Sequence, residues 1–266
     1  MDKDSPIDHT HIERQLCEIE REYGVTVLYA AEAGSRAWGF ASRDSDFDIR
    51  FIYRYNDLRD VVRIDSPPDN ITLEITQEGH VYDTAGWDLR KTLLLFRKSN
   101  PSLLEWLASP IIYREIGALA GELRVLASRY ASLRAYAGHY YSMYRANLAA
   151  HLTGKERVPA KKYLYVFRPL ICVLYLERLA AQPPVAFDEL LAALDLPGPV
   201  LSEIEELIAR KHTENERDLG PRLPAVDAFL AEEGERIPCI IDSIPSMSMP
   251  IEPLNEIYWR LTFGEA

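Results

Sequence analysis

The sequence predicts an α+β chain whose strands gather in the first 85 residues and whose remainder is helical. Three observations carry that expectation. Two runs rich in β-branched and aromatic residues, Val25 to Ala30 and Asp48 to Tyr55, flank the small-residue turn Ala33-Gly34-Ser35. Two shorter runs of the same character, Ile71 to Gln77 and His80 to Asp83, come after them. From Trp87 onward, apolar residues recur at helical spacing between proline-bearing breaks.

The elements run in order. His11 to Tyr23 places Ile12, Leu16, Ile19 and Tyr23 on one helical face, and Gly24 stops that helix. The four strand candidates come next, split by the glycine turn. Helices are then expected over Trp87 to Phe96, Leu103 to Leu107, Ala118 to Tyr130, Leu133 to Leu152, Ala160 to Ala180 and Glu203 to Ala209. Breaks fall at Asn100-Pro101, Pro183-Pro184 and Pro197-Gly198, and prolines 238, 245, 250 and 253 punctuate two short final helices. The change of character near residues 109–115 suggests two units, 1–112 and 113–266.

Composition narrows the class. The 266 residues are 47% apolar and 27% charged, the balance of an ordinary globular protein, which excludes disordered and fibrous classes. No apolar run approaches the ~20 residues of a membrane span, and the N-terminal residues are polar, so a soluble cytoplasmic protein is expected. Cys17, Cys172 and Cys239 are too far apart for a CxxC metal site and odd in number, which fits a reducing compartment. A net charge of -11 argues against a general nucleic-acid coat, because such binding draws on Lys and Arg neutralising phosphates. Any phosphate site must be local. The best window runs from Lys155 to Arg168 and carries a net charge of +4.

The densest chemistry lies between Ala33 and Arg50. Asp46 and Asp48 are two apart, so in a strand they present both carboxylates on one side. Adjacent carboxylates repel unless a cation lies between them, and hard oxygen ligands suit Mg²⁺, which completes its shell with water and substrate phosphates. Two such ions assist in-line phosphoryl displacement by activating the attacking oxygen and stabilising the leaving one. The Gly34-Ser35 turn complements them: glycine lets backbone N–H groups approach a polyphosphate, and the serine hydroxyl adds a donor.

A Gly-Ser turn followed ten residues later by Asp-x-Asp resembles the nucleotidyltransferases of the DNA polymerase beta superfamily. More narrowly, GSRAWGFASRDSDFDIRFIY with GWDLRKTLLLFRKSNPSLLEWLASPIIY resembles the RlaP-like predicted nucleotidyltransferases associated with RNA repair. The resemblance is dense over residues 10–113 and looser beyond, through KKYLYVFRPL. It implies a small mixed β-sheet with flanking helices, then an all-helical domain, with a nucleoside triphosphate and Mg²⁺ or Mn²⁺ between them. It also implies a third carboxylate from a neighbouring strand. Asp83 is the choice, with Asp88 and Glu74 as rivals; Asp88 also reads as a residue favoured by a helix N-terminus.

Other residues take secondary roles. Arg36 and Arg43 flank the loop and are candidates to neutralise the triphosphate. Lys98-Ser99-Asn100-Pro101 reads as a helix stop, with a role in shaping the site as the alternative. Lys161, Tyr165 and Arg168 share one helix face, while Leu164, Phe167, Ile171 and Leu174 read as core. By resemblance, Lys162 or Lys161 holds the triphosphate, with Lys162 preferred; a solvated basic face is the plain alternative. His9 and His11 read as surface residues. Arg134 to His139 and Arg145 to His151 match the spacing of HEPN-type ribonucleases only loosely, because alanine follows each arginine.

The expected activity is transfer of a nucleoside monophosphate from an NTP to an acceptor hydroxyl, with release of pyrophosphate. Asp46, Asp48 and Asp83 would bind metal, and Gly34, Ser35, Arg36 and a helical-domain lysine the nucleotide. An RNA end, a protein side chain and a small molecule all remain open as acceptor. The competing expectations are a protein AMP-transferring toxin–antitoxin module and a catalytically silent nucleotide-binding protein.

Overall fold

A computed structural model describes residues 9–42, 45–65, 67–77, 79–213 and 219–264. Five strands, β1 (Val25–Glu32), β2 (Phe47–Tyr55), β3 (Asn70–Gln77), β4 (His80–Asp88) and β5 (Ile112–Glu115), form one mixed sheet in the order β3-β4-β2-β1-β5. β2 and β4 run parallel, and the other pairs are antiparallel. β5 lies across the position where the sequence suggests a change of unit.

Alternation in β2 decides the two faces. Phe47, Ile49, Phe51 and Tyr53 are buried with Ile12, Leu16 and Ile19 of helix α1 (His9–Tyr23), so α1 covers one face. Gly86 of β4 sits under Phe51: a Cβ there would lie 2.2 Å from the Phe51 ring. His11, expected at the surface, is buried on α1 and bonds Gln15 at 2.9 Å. The odd positions of β2 thus fill a core and leave Asp48, Arg50, Ile52 and Arg54 on the other face.

Ile52 on that second face is buried in a larger core shared with the helices beyond the sheet. Between β1 and β3 lie two one-turn helices, α2 (Gly34–Ala37) and α3 (Leu58–Val61). The helices after β4 are α4 (Leu89–Arg97), α5 (Pro101–Leu107), α6 (Leu119–Tyr130), α7 (Leu133–His151), α8 (Ala160–Leu179), α9 (Phe187–Ala192), α10 (Gly198–Thr213), α11 (Pro224–Ser243) and α12 (Glu252–Phe263). α8 is the central one, with Leu164, Phe167, Ile171 and Leu174 fully buried.

Three local outcomes differ from expectation. Trp87 and Asp88 end β4 and do not begin a helix, because Asp88 caps α4 by accepting from the Lys91 N–H at 2.7 Å. The helical half holds a two-stranded ribbon, β6 (Arg157–Pro159) with β7 (Leu219–Pro221). α11 is one helix of 20 residues that continues through Pro238, so that proline does not stop it. Lys98 to Pro101 behaves as a stop with an added tie. Asn100 caps α5 through the Leu103 N–H, while buried Ser99 accepts from the Ser132 N–H at 2.8 Å and joins the α4–α5 link to α7. Among the described residues no helix is long and apolar enough to cross a membrane.

Candidate active site

β1 ends at Glu32, and the chain turns at Gly34 into α2. The Ala33 N–H donates to the Asp48 carbonyl at 2.8 Å, which seats the turn against β2. Gly34 has φ +60°, and a Cβ on it would lie 2.0 Å from Asp48 Oδ2. Only glycine fits there, since an L side chain would meet both backbone strain and the carboxylate. Ser35 is buried beside it.

Arg36 reaches forward to the returning chain. It donates to the carbonyls of Ser45 at 2.7 Å and Asp46 at 3.2 Å, and its guanidinium lies 3.8 Å from the Phe47 ring centre. It therefore clasps the loop between α2 and β2 in this conformation. Arg43 lies outside the described residues.

The carboxylates collect through strand register. Asp48 and Asp83 are direct neighbours across the parallel β2–β4 pair, and Glu74 of β3 is the antiparallel neighbour of Asp83. Asp46 is exposed just before β2, two residues ahead of Asp48. Asp88 sits five positions further along β4, opposite Tyr53, where its carboxylate caps α4. The structure thus brings Asp48, Asp83 and Glu74 into one row and leaves Asp88 at the far end of the strand.

Between Asp48 and Asp83 lies a residue that the sequence reading did not single out. Arg50 Nη2 donates to Asp48 Oδ1 at 2.9 Å and to Asp83 Oδ2 at 2.7 Å, while Nη1 donates to the Asp83 carbonyl at 2.7 Å. The i, i+2 spacing from Asp48 was the available signal. Burial raises the Asp48 pKa, Arg50 opposes that shift, and Asp83 and Asp46 add to it. Lys161 of α8 is also among the cations acting on Asp48, so the helical half contributes charge to this row.

Glu32 was missed as well. It is fully buried, accepts from the Asp48 N–H at 2.8 Å and takes a hydrogen bond from the Tyr113 hydroxyl. Burial pushes its pKa up to about 7 against the pull of those two bonds. A lone glutamate ending an otherwise apolar run was the signal; the Tyr113 partner, 81 positions later, was not readable.

The helix face bearing Lys161, Tyr165 and Arg168 does not behave as one basic surface. Arg168 is only 3% exposed and pairs with Glu105 at 2.9 Å. Its guanidinium also lies 4.4 Å from the Trp38 ring centre, and Tyr165 meets Trp38 edge-on. The Tyr140 hydroxyl and the Trp38 indole N–H both donate to Glu105. Arg168 is thus a latch on the loop that continues from the Gly34-Ser35 turn. Lys161 and Lys162 remain near its outer end, each within 6 Å of the Tyr165 ring centre.

The donors suit a hard divalent cation. Asp48 and Asp83 keep 28% and 39% of their side chains exposed, and Asp46 lies exposed just ahead of them, so carboxylate oxygens, waters and phosphates can complete the shell. Among the described residues no three such side chains enclose an ion as they stand, and Arg50 supplies the positive charge between the pair.

The chain is similar to the following proteins and family. A Bacillus subtilis (strain 168) protein described as "Uncharacterized protein YcgL" is 41% identical over 231 residues, which cover 84% of each chain. A crystal structure of a nucleotidyltransferase-like protein from Exiguobacterium sibiricum 255-15 aligns with 95% of this chain and 88% of its own, at 12% identity and a TM-score of 0.32. Residues 9–260 match the profile of the RNA repair pathway DNA polymerase beta family, RlaP. With a match spanning nearly the whole chain and a paired carboxylate row beside its Gly-Ser turn, the protein belongs to the RlaP family of polymerase beta-type nucleotidyltransferases.

Proposed function

We propose that this chain transfers a nucleoside monophosphate from an NTP to an acceptor hydroxyl and releases pyrophosphate. The observation that supports it most is the register of Asp48 beside Asp83 on parallel strands, with Gly34 packed against Asp48. Mg²⁺ or Mn²⁺ held by Asp46, Asp48 and Asp83 would supply charge neutralisation at the phosphates and lower the pKa of the attacking hydroxyl. The chain's own residues then position the reactants. The bare Gly34 backbone and Ser35 face the phosphates, Arg36 holds the loop in shape, and Lys161 or Lys162 reaches the triphosphate as a compact charge on a flexible stem. Arg50 neutralises Asp48 and Asp83 until a stronger cation takes its place. Catalysis by such a site is positioning with electrostatic stabilisation.

For the acceptor, the family description favours an RNA end. The three cysteines are free, in keeping with a reducing, cytoplasmic setting.

The test is incubation with each α-labelled NTP, Mg²⁺ and a mixed pool of RNA and protein. Label is expected in RNA, with Asp48→Asn reducing it at least 1,000-fold at unchanged circular dichroism. Label in protein would replace RNA by a protein acceptor. Full turnover by Asp48→Asn would overturn the carboxylate assignment. Lys161→Ala and Lys162→Ala, run in parallel, should raise the KM for NTP in at least one case, with the arginine replacement milder. Calorimetry should show NTP binding that weakens sharply in EDTA.

A further inference from the structure

At the opposite end of β2 from the carboxylates, a cavity of about 320 Å³ opens between α4, α12 and the chain around Pro67. It lies five strand positions from the Asp48–Asp83 pair, ~17 Å at ~3.3 Å per residue. Ile52, buried on the same face of β2, lies between the two places along the strand. The cavity is therefore distinct from the candidate active site.

Its charge balance is unusual for a protein carrying -11. Arg54, Arg90, Lys91 and Lys98 line it against Asp69 and Asp88. Both acids are already engaged: Asp69 pairs with Lys91 at 2.8 Å, and Asp88 caps α4. Arg90 lines the cavity together with Asp88 and Tyr258 and acts electrostatically on both. Arg54, Arg90 and Lys98 make no ion pair among the described residues. Three cations left around one concavity favour an anion with several oxygens, because guanidinium groups bind phosphate through paired N–H donors.

The rest of the lining is apolar and aromatic. Half-buried Tyr55 and Tyr258 contribute aromatic rings to the lining, with Leu94 and Leu95 beside them. Aromatic faces stack nucleobases without sequence preference. The volume falls at the low end of the ~300–1,000 Å³ typical of small-ligand sites, enough for one nucleotide.

We propose that this cavity is a second binding site for a single nucleoside phosphate, the phosphate held by Arg54, Arg90 and Lys98 and the base against Tyr55 or Tyr258. The nucleotide is either a free nucleoside monophosphate or the phosphorylated terminal residue of an RNA strand, since both present the same chemistry.

The test uses full-length Asp48→Asn protein in EDTA, which suppresses metal-bridged binding at the carboxylates. Calorimetry is run with inorganic phosphate, nucleoside monophosphates, and short RNA carrying a 5′- or 3′-terminal phosphate. Binding of a nucleoside monophosphate or phosphorylated RNA at least tenfold tighter than inorganic phosphate is expected. Arg90→Gln and Lys98→Gln, both at exposed positions, should each weaken it about tenfold while circular dichroism is unchanged. Preference for the free monophosphate assigns a small-molecule source, and preference for the oligonucleotide an RNA end. Either supports the site. Binding no tighter than inorganic phosphate, no binding at all, or binding indifferent to Arg90 and Lys98 would overturn it.

Discussion

Arg50 shows how a single side chain can hold two neighbouring carboxylates together. Asp48 and Asp83 occupy neighbouring strands, and two carboxylates ~5 Å apart repel by about 3 kcal/mol at an effective dielectric constant near 20. Arg50 offsets that repulsion through hydrogen bonds to both. Arg50→Met should therefore cost the metal-free protein about 1–3 kcal/mol, and Mg²⁺ should stabilise the variant more than the parent. Urea unfolding with EDTA or Mg²⁺ measures this; equal midpoints for the two proteins without metal would count against it. Glu32 yields a prediction in pH. Its folded pKa is raised from 4.5 to about 7, so the native state binds the extra proton. The corresponding stability is full below pH 4.5 and is lost as pH rises towards 7, by roughly 3 kcal/mol. In EDTA, the wild type should lose that amount relative to Glu32→Gln between pH 4.5 and 8, measured by denaturant midpoints. A constant difference between them would show that Glu32 is ionised throughout.

At the scale of elements, the turn from β1 into α2 depends on one missing Cβ. Gly34→Ala must relieve a 2.0 Å contact with Asp48 and carry φ +60° on an L residue. Left-handed backbone alone costs ~1–2 kcal/mol. We expect a lower melting temperature and at least tenfold weaker NTP binding, read by thermal denaturation and calorimetry, because the turn proposed to face the phosphates and Asp48 shift together. Unaltered binding would separate the turn from the site. A helix N-terminus near Asp88 was legible from the helical spacing that follows it. The end of β4 was less legible. Trp87 suits either a strand or a helix, and the Asp88 cap decided between them.

Across the whole molecule, one core runs from Leu28, Tyr29 and Ile52 of the sheet into α7 and α8. The loop of the candidate active site is tied into it at Trp38. Its carbonyl accepts from the Phe187 N–H at 2.9 Å, and its ring meets Arg168 and Tyr165. Arg168→Met strands the Glu105 carboxylate among Tyr140 and Trp38 and should cost about 3–5 kcal/mol, with a raised KM for NTP as the loop loosens. Adding Glu105→Gln should recover part of that stability, since the amide still accepts a hydrogen bond without a buried charge. Denaturant titration of the single and double variants checks this, and a double variant no more stable than Arg168→Met would refute the charge argument.

Periodicity and turn chemistry by themselves determined the α+β class, four of the five strands of the main sheet and the Gly34-Ser35 turn, because those depend on contacts a few residues apart. Only the tertiary structure decided that Asp83 lies beside Asp48, that Arg50 fills the space between them, and that Tyr113 bonds buried Glu32. It also decided that Arg168 is a buried latch, although its position in a basic window suggested a phosphate contact. Register between strands, and the partner a buried charge finds, come from how distant segments pack, and local spacing carries no record of that choice.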